Sequence, residues 1–314
     1  MKQFILKSLL IIVIILNIII LVISIQIIYP NSYSINSHEQ NVRRSINKLQ
    51  QNRYNKKIII IGGSGCNMGI NSELIQQSLN ILTFNTGTHA GIGLVMQFEM
   101  FKEYIHNEDI VIVIPEYQQF FKKGFYGTET ILRILFSTYL NGFKYMELNQ
   151  LVHLVPFLGK NTSDWINSQS FEFKNGIIDS YSCKELNIYG DMNPNTRNKH
   201  KTIPIDEKLD VQNINMESIN YCSYIKKYIN NKNATFIFLP PAYQDSSYNQ
   251  NKSFISKIEQ LLKDKQCAFD NNPLEYIFCD SLFYDTPYHL TEYGTYIRTR
   301  KIISEIRKKI SLEN

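Results

Sequence analysis

A serine hydroxyl is a poor nucleophile at neutral pH until a neighbouring base takes its proton. Ser64 stands in a stretch built to expose a side chain, Ile58-Ile59-Ile60-Ile61-Gly62-Gly63-Ser64-Gly65-Cys66-Asn67-Met68-Gly69. The glycines also suit two other chemistries. A phosphate-cradling loop needs Lys followed by Ser or Thr after its last glycine, but Gly69 leads into Ile70 and Asn71. A dinucleotide loop needs an acid after the next strand to hold ribose hydroxyls; that position reads Phe84-Asn85-Thr86-Gly87. Neither a nucleotide nor any other cofactor is therefore expected. A nucleotide-binding oxidoreductase is a third reading, and it predicts an open groove over 63–69 with no histidine nearby.

The base for Ser64 is sought in Asp285-Thr286-Pro287-Tyr288-His289-Leu290-Thr291. His289 can take the serine proton, and Asp285 can accept the other ring N–H and stabilise the imidazolium. Three residues separate Asp285 from His289, with Pro287 among them, and Asp280 is the nearest substitute acid. Gly87 would let a backbone N–H approach an oxyanion beside that of Ser64. Asn67 can donate to the oxyanion or cap the next turn. In Pro115-Glu116-Tyr117, the Tyr117 hydroxyl can donate, whereas an ionised Glu116 would repel the developing charge. His89 reads as a helix-entry hydrogen-bond partner rather than a substrate contact. Tyr288 and Tyr293 read as wall and packing residues. His38, His106, His153 and His200 have no constellation around them in the sequence.

Parts so far apart in sequence meet only if one framework delivers them to one edge. Ile58–Ile61 is short, β-branched and bounded by glycine, the mark of a buried parallel strand. Similar strands are expected at 81–85, 109–114 and 234–239, with a weaker one near 276–279. Helices are expected over 72–79, 93–106, 253–265 and 291–311. Strands alternating with helices argue an α/β fold with a parallel sheet covered on both faces, and all such strands end at one edge. Between the third and fourth strands, residues 121–215 read as an insertion over that edge, aromatic and helical at first, then rich in Ser, Asn and Asp.

Leu9 to Ile28 is almost wholly Ile, Leu and Val, and as a helix rises about 30 Å, enough to cross a bilayer core. It ends in Gln26-Ile27-Ile28-Tyr29-Pro30 without a small-residue cleavage site, so 1–30 is expected to be an uncleaved anchor. Lys2 and Lys7 favour an internal amino terminus and an extracytoplasmic domain. Residues 31–56 read as a polar stalk with room for one short helix, and 57–314 as the folded domain. With 44% hydrophobic and 19% charged residues the chain can bury a core, and its scattered net charge of +5 does not favour nucleic acid. The five cysteines show no metal spacing, so no metal is expected, while Cys267 and Cys279 are near enough in sequence to pair.

The blocks at 59–64, 84–94, 109–120 and 285–294, in that order, resemble those of the SGNH/GDSL hydrolase superfamily. The chain is similar to its membrane-anchored members of bacterial envelope pathways, of the alginate O-acetylation and teichoic-acid D-alanylation type. The resemblance covers about 57–120 and 234–310. It implies a flavodoxin-like α/β/α sheet, Ser64 as nucleophile, Gly87 as an oxyanion glycine, and Asp285 with His289 as acid and base. The family's third block supplies an oxyanion Asn, and here Glu116 and Tyr117 stand in its place. The activity implied is a serine esterase or O-acyltransferase on envelope glycan, with an integral-membrane acyltransferase as a possible partner. The alternative is a catalytically inactive module that binds glycan or organises a complex.

Overall fold

Four consecutive isoleucines have no polar face, so both faces of their strand must be covered. The computed structural model describes residues 1–169, 181–197 and 202–313. It places these isoleucines in β1 (Lys57–Gly62), buried along its whole length. β2 (Leu82–Asn85) and β3 (Ile110–Ile114) flank β1 in parallel, and β4 (Thr235–Phe238) extends β3. The order is β2-β1-β3-β4. Register pairs Ile59 with Val111 and Ile61 with Val113, so side chains alternate between two cores. Ile59, Ile61, Val111 and Val113 face one core, and Ile58, Ile60, Ile110 and Ile112 face the other. The first core is closed by α6 (Gly93–Glu99), α10 (Met216–Asn231) and α11 (Asp245–Asp264), the second by α5 (Ser72–Leu79) and α12 (Glu292–Glu313).

The expected fifth strand does not join this sheet. β6 (Ile277–Phe278) is two residues long and pairs with β5 (Tyr243–Gln244) in a separate parallel ribbon. Pro240-Pro241 lacks both N–H groups, which ends the ladder after β4.

Residues 31–56 are not a stalk. They fold into α2 (Ser32–Asn36), a helical turn at 38–40 and α3 (Asn41–Gln51). Val42, Ile46 and Leu49 of α3 lie in the first core, at most 5% exposed. Before them, α1 (Lys2–Ile28) is one helix, long and apolar enough to cross a membrane. Its last turns pack on α7 (Glu129–Ser137) and α9 (Leu158–Ser168) of the insertion, which also holds α8 (Leu148–Leu154). Gln26 accepts a hydrogen bond from Asn161 at 2.7 Å and donates one to Thr162 at 3.0 Å. All five cysteines are free, so the Cys267–Cys279 pair is not formed: one thiol is buried and the other is on the surface. His200 lies outside the described residues.

Candidate active site

β1 ends in glycine because the chain must turn hard against β3. A Cβ on Gly62 would meet the Cys66 Sγ at 2.4 Å and the Ile114 carbonyl oxygen at 2.6 Å. The turn opens at once into α4 (Ser64–Asn67), with Ser64 as its first residue. Two buried arginines fix the turn from below: Arg298 Nη1 donates to the Gly65 carbonyl at 2.5 Å, and Arg197 donates to that of Met68. Burial lowers the pKa of both guanidiniums.

The 285–294 segment crosses the same edge. Thr286 Oγ1 accepts from the backbone N–H of Tyr288 at 3.3 Å and of His289 at 3.1 Å, which curls the chain so that Asp285 and His289 face each other. His289 Nδ1 lies 2.9 Å from Asp285 Oδ1, and His289 Nε2 lies 2.9 Å from Ser64 Oγ. With the proton on Nδ1, which Asp285 favours, Nε2 is free to accept from the serine hydroxyl. Ser64 is 9% and His289 5% exposed. The spacer containing Pro287 thus preserves the contact. Asp280 is elsewhere: its carboxylate accepts from the N–H and hydroxyl of Ser246 at the start of α11. A histidine bonded to Ser64 is also what the oxidoreductase reading said would be missing.

Of the four residues expected around an oxyanion, three are placed otherwise. Gly87 donates its N–H to Asn85 Oδ1 at 3.0 Å, so that donor is already engaged. Its glycine is needed for close approach, since a Cβ there would lie 2.7 Å from Cys66 Cβ and 2.8 Å from both Asn67 N and Gly63 O. Tyr117 is wholly buried with its ring edge-on to Tyr243 at 5.1 Å and its hydroxyl unpaired, a core residue rather than a site donor. Asn67 is wholly buried with both side-chain polar atoms unpaired, so it neither caps the turn nor meets an incoming ligand in this arrangement. Glu116 does reach the Ser64 turn. Its Oε1 accepts from the Gly65 N–H at 3.1 Å and fills the space beside Gly63, where a Cβ would meet it at 2.3 Å. Burial raises the pKa of this carboxyl, opposed by the Gly65 N–H and by nearby His289.

Several residues of the site carry no local sequence signal. Tyr181, from the insertion, donates its hydroxyl to Asp285 Oδ2 at 2.6 Å, with the same oxygen 3.1 Å from His289 Nδ1. His38 packs its ring 5.5 Å from that of Tyr181 and 6.3 Å from that of His89. Burial drives the His38 pKa down to about 3, so this imidazole is neutral at neutral pH. His89 Nδ1 accepts from the Gly91 N–H at 2.9 Å, the helix-entry bond its position suggested. Beyond His89 opens a polar recess of about 440 Å³ lined by Asn31, Tyr33, Arg133, Asp164 and Asn167. Tyr288 is buried against Tyr243, as a wall residue should be, whereas Tyr293 is 65% exposed and packs nothing comparable. Among the described residues no cluster of His, Cys, Asp and Glu has the makings of a metal site.

A scan against protein-family models and a search of curated proteins both return no match for this chain.

Proposed function

We propose that the chain is a membrane-anchored serine esterase or O-acyltransferase of the SGNH/GDSL type, acting on acyl groups of cell-envelope polysaccharide. The observation that carries this reading is the relay Asp285–His289–Ser64, 2.9 Å at each joint. In the proposed reaction the Ser64 hydroxyl attacks an acyl carbonyl while His289 Nε2 takes its proton, and Asp285 stabilises the imidazolium. His289 then returns the proton to the departing alcohol. Water or a sugar hydroxyl, deprotonated by the same imidazole, attacks the acyl-serine and frees Ser64.

The tetrahedral oxyanion needs donors. The Ser64 N–H is one, at the first turn of α4 where backbone N–H groups have no intrahelical acceptor. We assign the second to Glu116 in its protonated form, which burial favours. A neutral carboxyl offers an O–H where the family has an amide N–H, and removes the repulsion that an ionised Glu116 would exert. The sheet order supports the finer fold reading, since it matches the start of a flavodoxin-like sheet. The recess beside His89, with amides, a carboxylate and Arg133, suits a hydrophilic, hydroxyl-rich chain. Arg43 and Arg44 belong to the folded α3, Arg44 donating to the Leu186 carbonyl, so Lys2 and Lys7 are the charges next to the span. That supports an extracytoplasmic site.

The engaged Gly87 N–H and the enclosed Asn67 favour a second reading, an inactive glycan-binding module. A fluorophosphonate probe applied to the full-length protein in detergent separates the two. Labelling that is lost in Ser64→Ala and His289→Ala is the expected result. Folded wild-type protein that takes up no probe overturns the nucleophile.

A further inference from the structure

Among the described residues, the exposed apolar side chains that cluster do so chiefly in two places, and these adjoin. One is the length of α1 from Phe4 to Leu21. The other is the elbow joining α8 to α9, where Leu148, Leu151, Val152 and Val155 are 74%, 39%, 63% and 60% exposed. Their spacing of i, i+3, i+4 and i+7 sets them on one face of the elbow. Between the two surfaces runs an apolar groove of about 410 Å³, with Ile23 and Ile27 of α1 on one side and Phe136, Leu151, Val155 and Leu158 among its other walls. On the other side of the elbow a second groove mixes Leu148 and Val152 with Lys123, Asn149 and Glu217. Leu151 and Val155 therefore face the apolar groove, and Leu148 and Val152 form the border where apolar surface meets polar groups.

The depth of the elbow follows from the helix it packs on, given the reading above that α1 spans the bilayer. Leu9 to Ile28 matches a hydrocarbon core of about 30 Å, so Ile23 and Ile27 lie within the last ~8 Å of it. The bonds of Gln26 to Asn161 and Thr162 lock α9 to that level. Trp165 Nε1 donates to the Tyr29 carbonyl at 2.6 Å, and Tyr29 is itself exposed. Trp and Tyr at the end of a span mark the headgroup level. A groove whose wall is the membrane-level turn of α1 opens towards lipid chains, not water.

We propose that the α8–α9 elbow is a second membrane contact, its apolar face sunk into the leaflet and the groove filled by a phospholipid acyl chain. The bilayer then holds the domain at two places, one spanning and one interfacial.

Trp165 is the only tryptophan, which makes its fluorescence a native probe. The full-length protein is reconstituted into phosphatidylcholine vesicles with or without chain-brominated phosphatidylcholine. Unaltered Trp165 should be quenched, more strongly by bromine near the glycerol end of the chain than near its methyl end. In a Trp165→Phe background, Leu16→Trp reports the span, Val152→Trp the elbow, Phe136→Trp the groove and Tyr54→Trp the water side. Emission from the first three should fall to about half or less, with Tyr54→Trp unchanged. Quenching at Leu16→Trp but not at Val152→Trp or native Trp165 overturns the seat and leaves the span standing. Quenching at Val152→Trp but not at Phe136→Trp overturns the lipid-filled groove. Loss of quenching at Leu16→Trp as well overturns the span itself.

Discussion

Glu116 is the residue whose proton matters most. Its pKa in the fold is raised by burial, so the native state holds its proton more tightly than the unfolded chain does. Its contribution to stability is complete below the unfolded pKa and is lost as pH rises through the folded one. Glu116→Gln removes that loss: thermal melting across pH should show the variant gaining on the wild type as pH rises. If the neutral carboxyl also donates to the oxyanion, probe labelling of the wild type falls over the same window while Glu116→Gln labels without the fall. Glu116→Ala, with no donor, should label about 10²–10³-fold more slowly at every pH. Tyr181 makes a different prediction. Its hydroxyl donates to Asp285 Oδ2 and lies 3.1 Å from His289 Nδ1, and a hydrogen bond to a charged group is worth about 1.5–3 kcal/mol. Tyr181→Phe should therefore slow labelling about tenfold or more, measured as a rate under single-turnover conditions, with little change in melting temperature.

At the scale of elements, the start of β1 rests on a buried ion pair. Lys57 Nζ lies 2.8 Å from Asp109 Oδ2, neither side chain more than 1% exposed, and the same carboxylate accepts from the N–H of Lys57 and His106. Asp109→Ala strands a buried ammonium and should cost about 3–5 kcal/mol in urea denaturation; Lys57→Met with Asp109→Leu should recover much of it. What the sequence disclosed at this scale follows from where the signal is local. The isoleucines of β1 and the blocks around Ser64, Asp285 and His289 carry their meaning within a few residues of one another. α3 does not. Val42, Ile46 and Leu49 sit among Asn, Arg, Lys and Gln, and their three-to-four-residue period is too brief to outweigh that polarity. Tyr181 and His38 gain their roles only from packing across the sheet edge, and Gly87 lost its expected one to the neighbouring Asn85 side chain. Tyr276–Cys279 reads as a strand wherever it lies; nothing in its residues says which sheet it joins.

For the molecule as a whole, the domain begins well before the first strand. Burying Val42, Ile46 and Leu49 is worth about 5–9 kcal/mol, as much as the net stability of many domains. A chain starting at Lys57 should therefore be recovered aggregated, whereas one starting at Tyr29 should be soluble and cooperative in melting; gel filtration and calorimetry read both. The same feature has a consequence for reach. With Gln26 bonded to α9, α2 packed on α7 and α3 on β2, folded elements occupy most of the chain between α1 and Ser64. In a membrane, such a serine has a fixed working height and searches a plane rather than a volume. Under the proposed acyl chemistry, an ester would be selected by how far it projects from the bilayer, before any of its chemistry is tested.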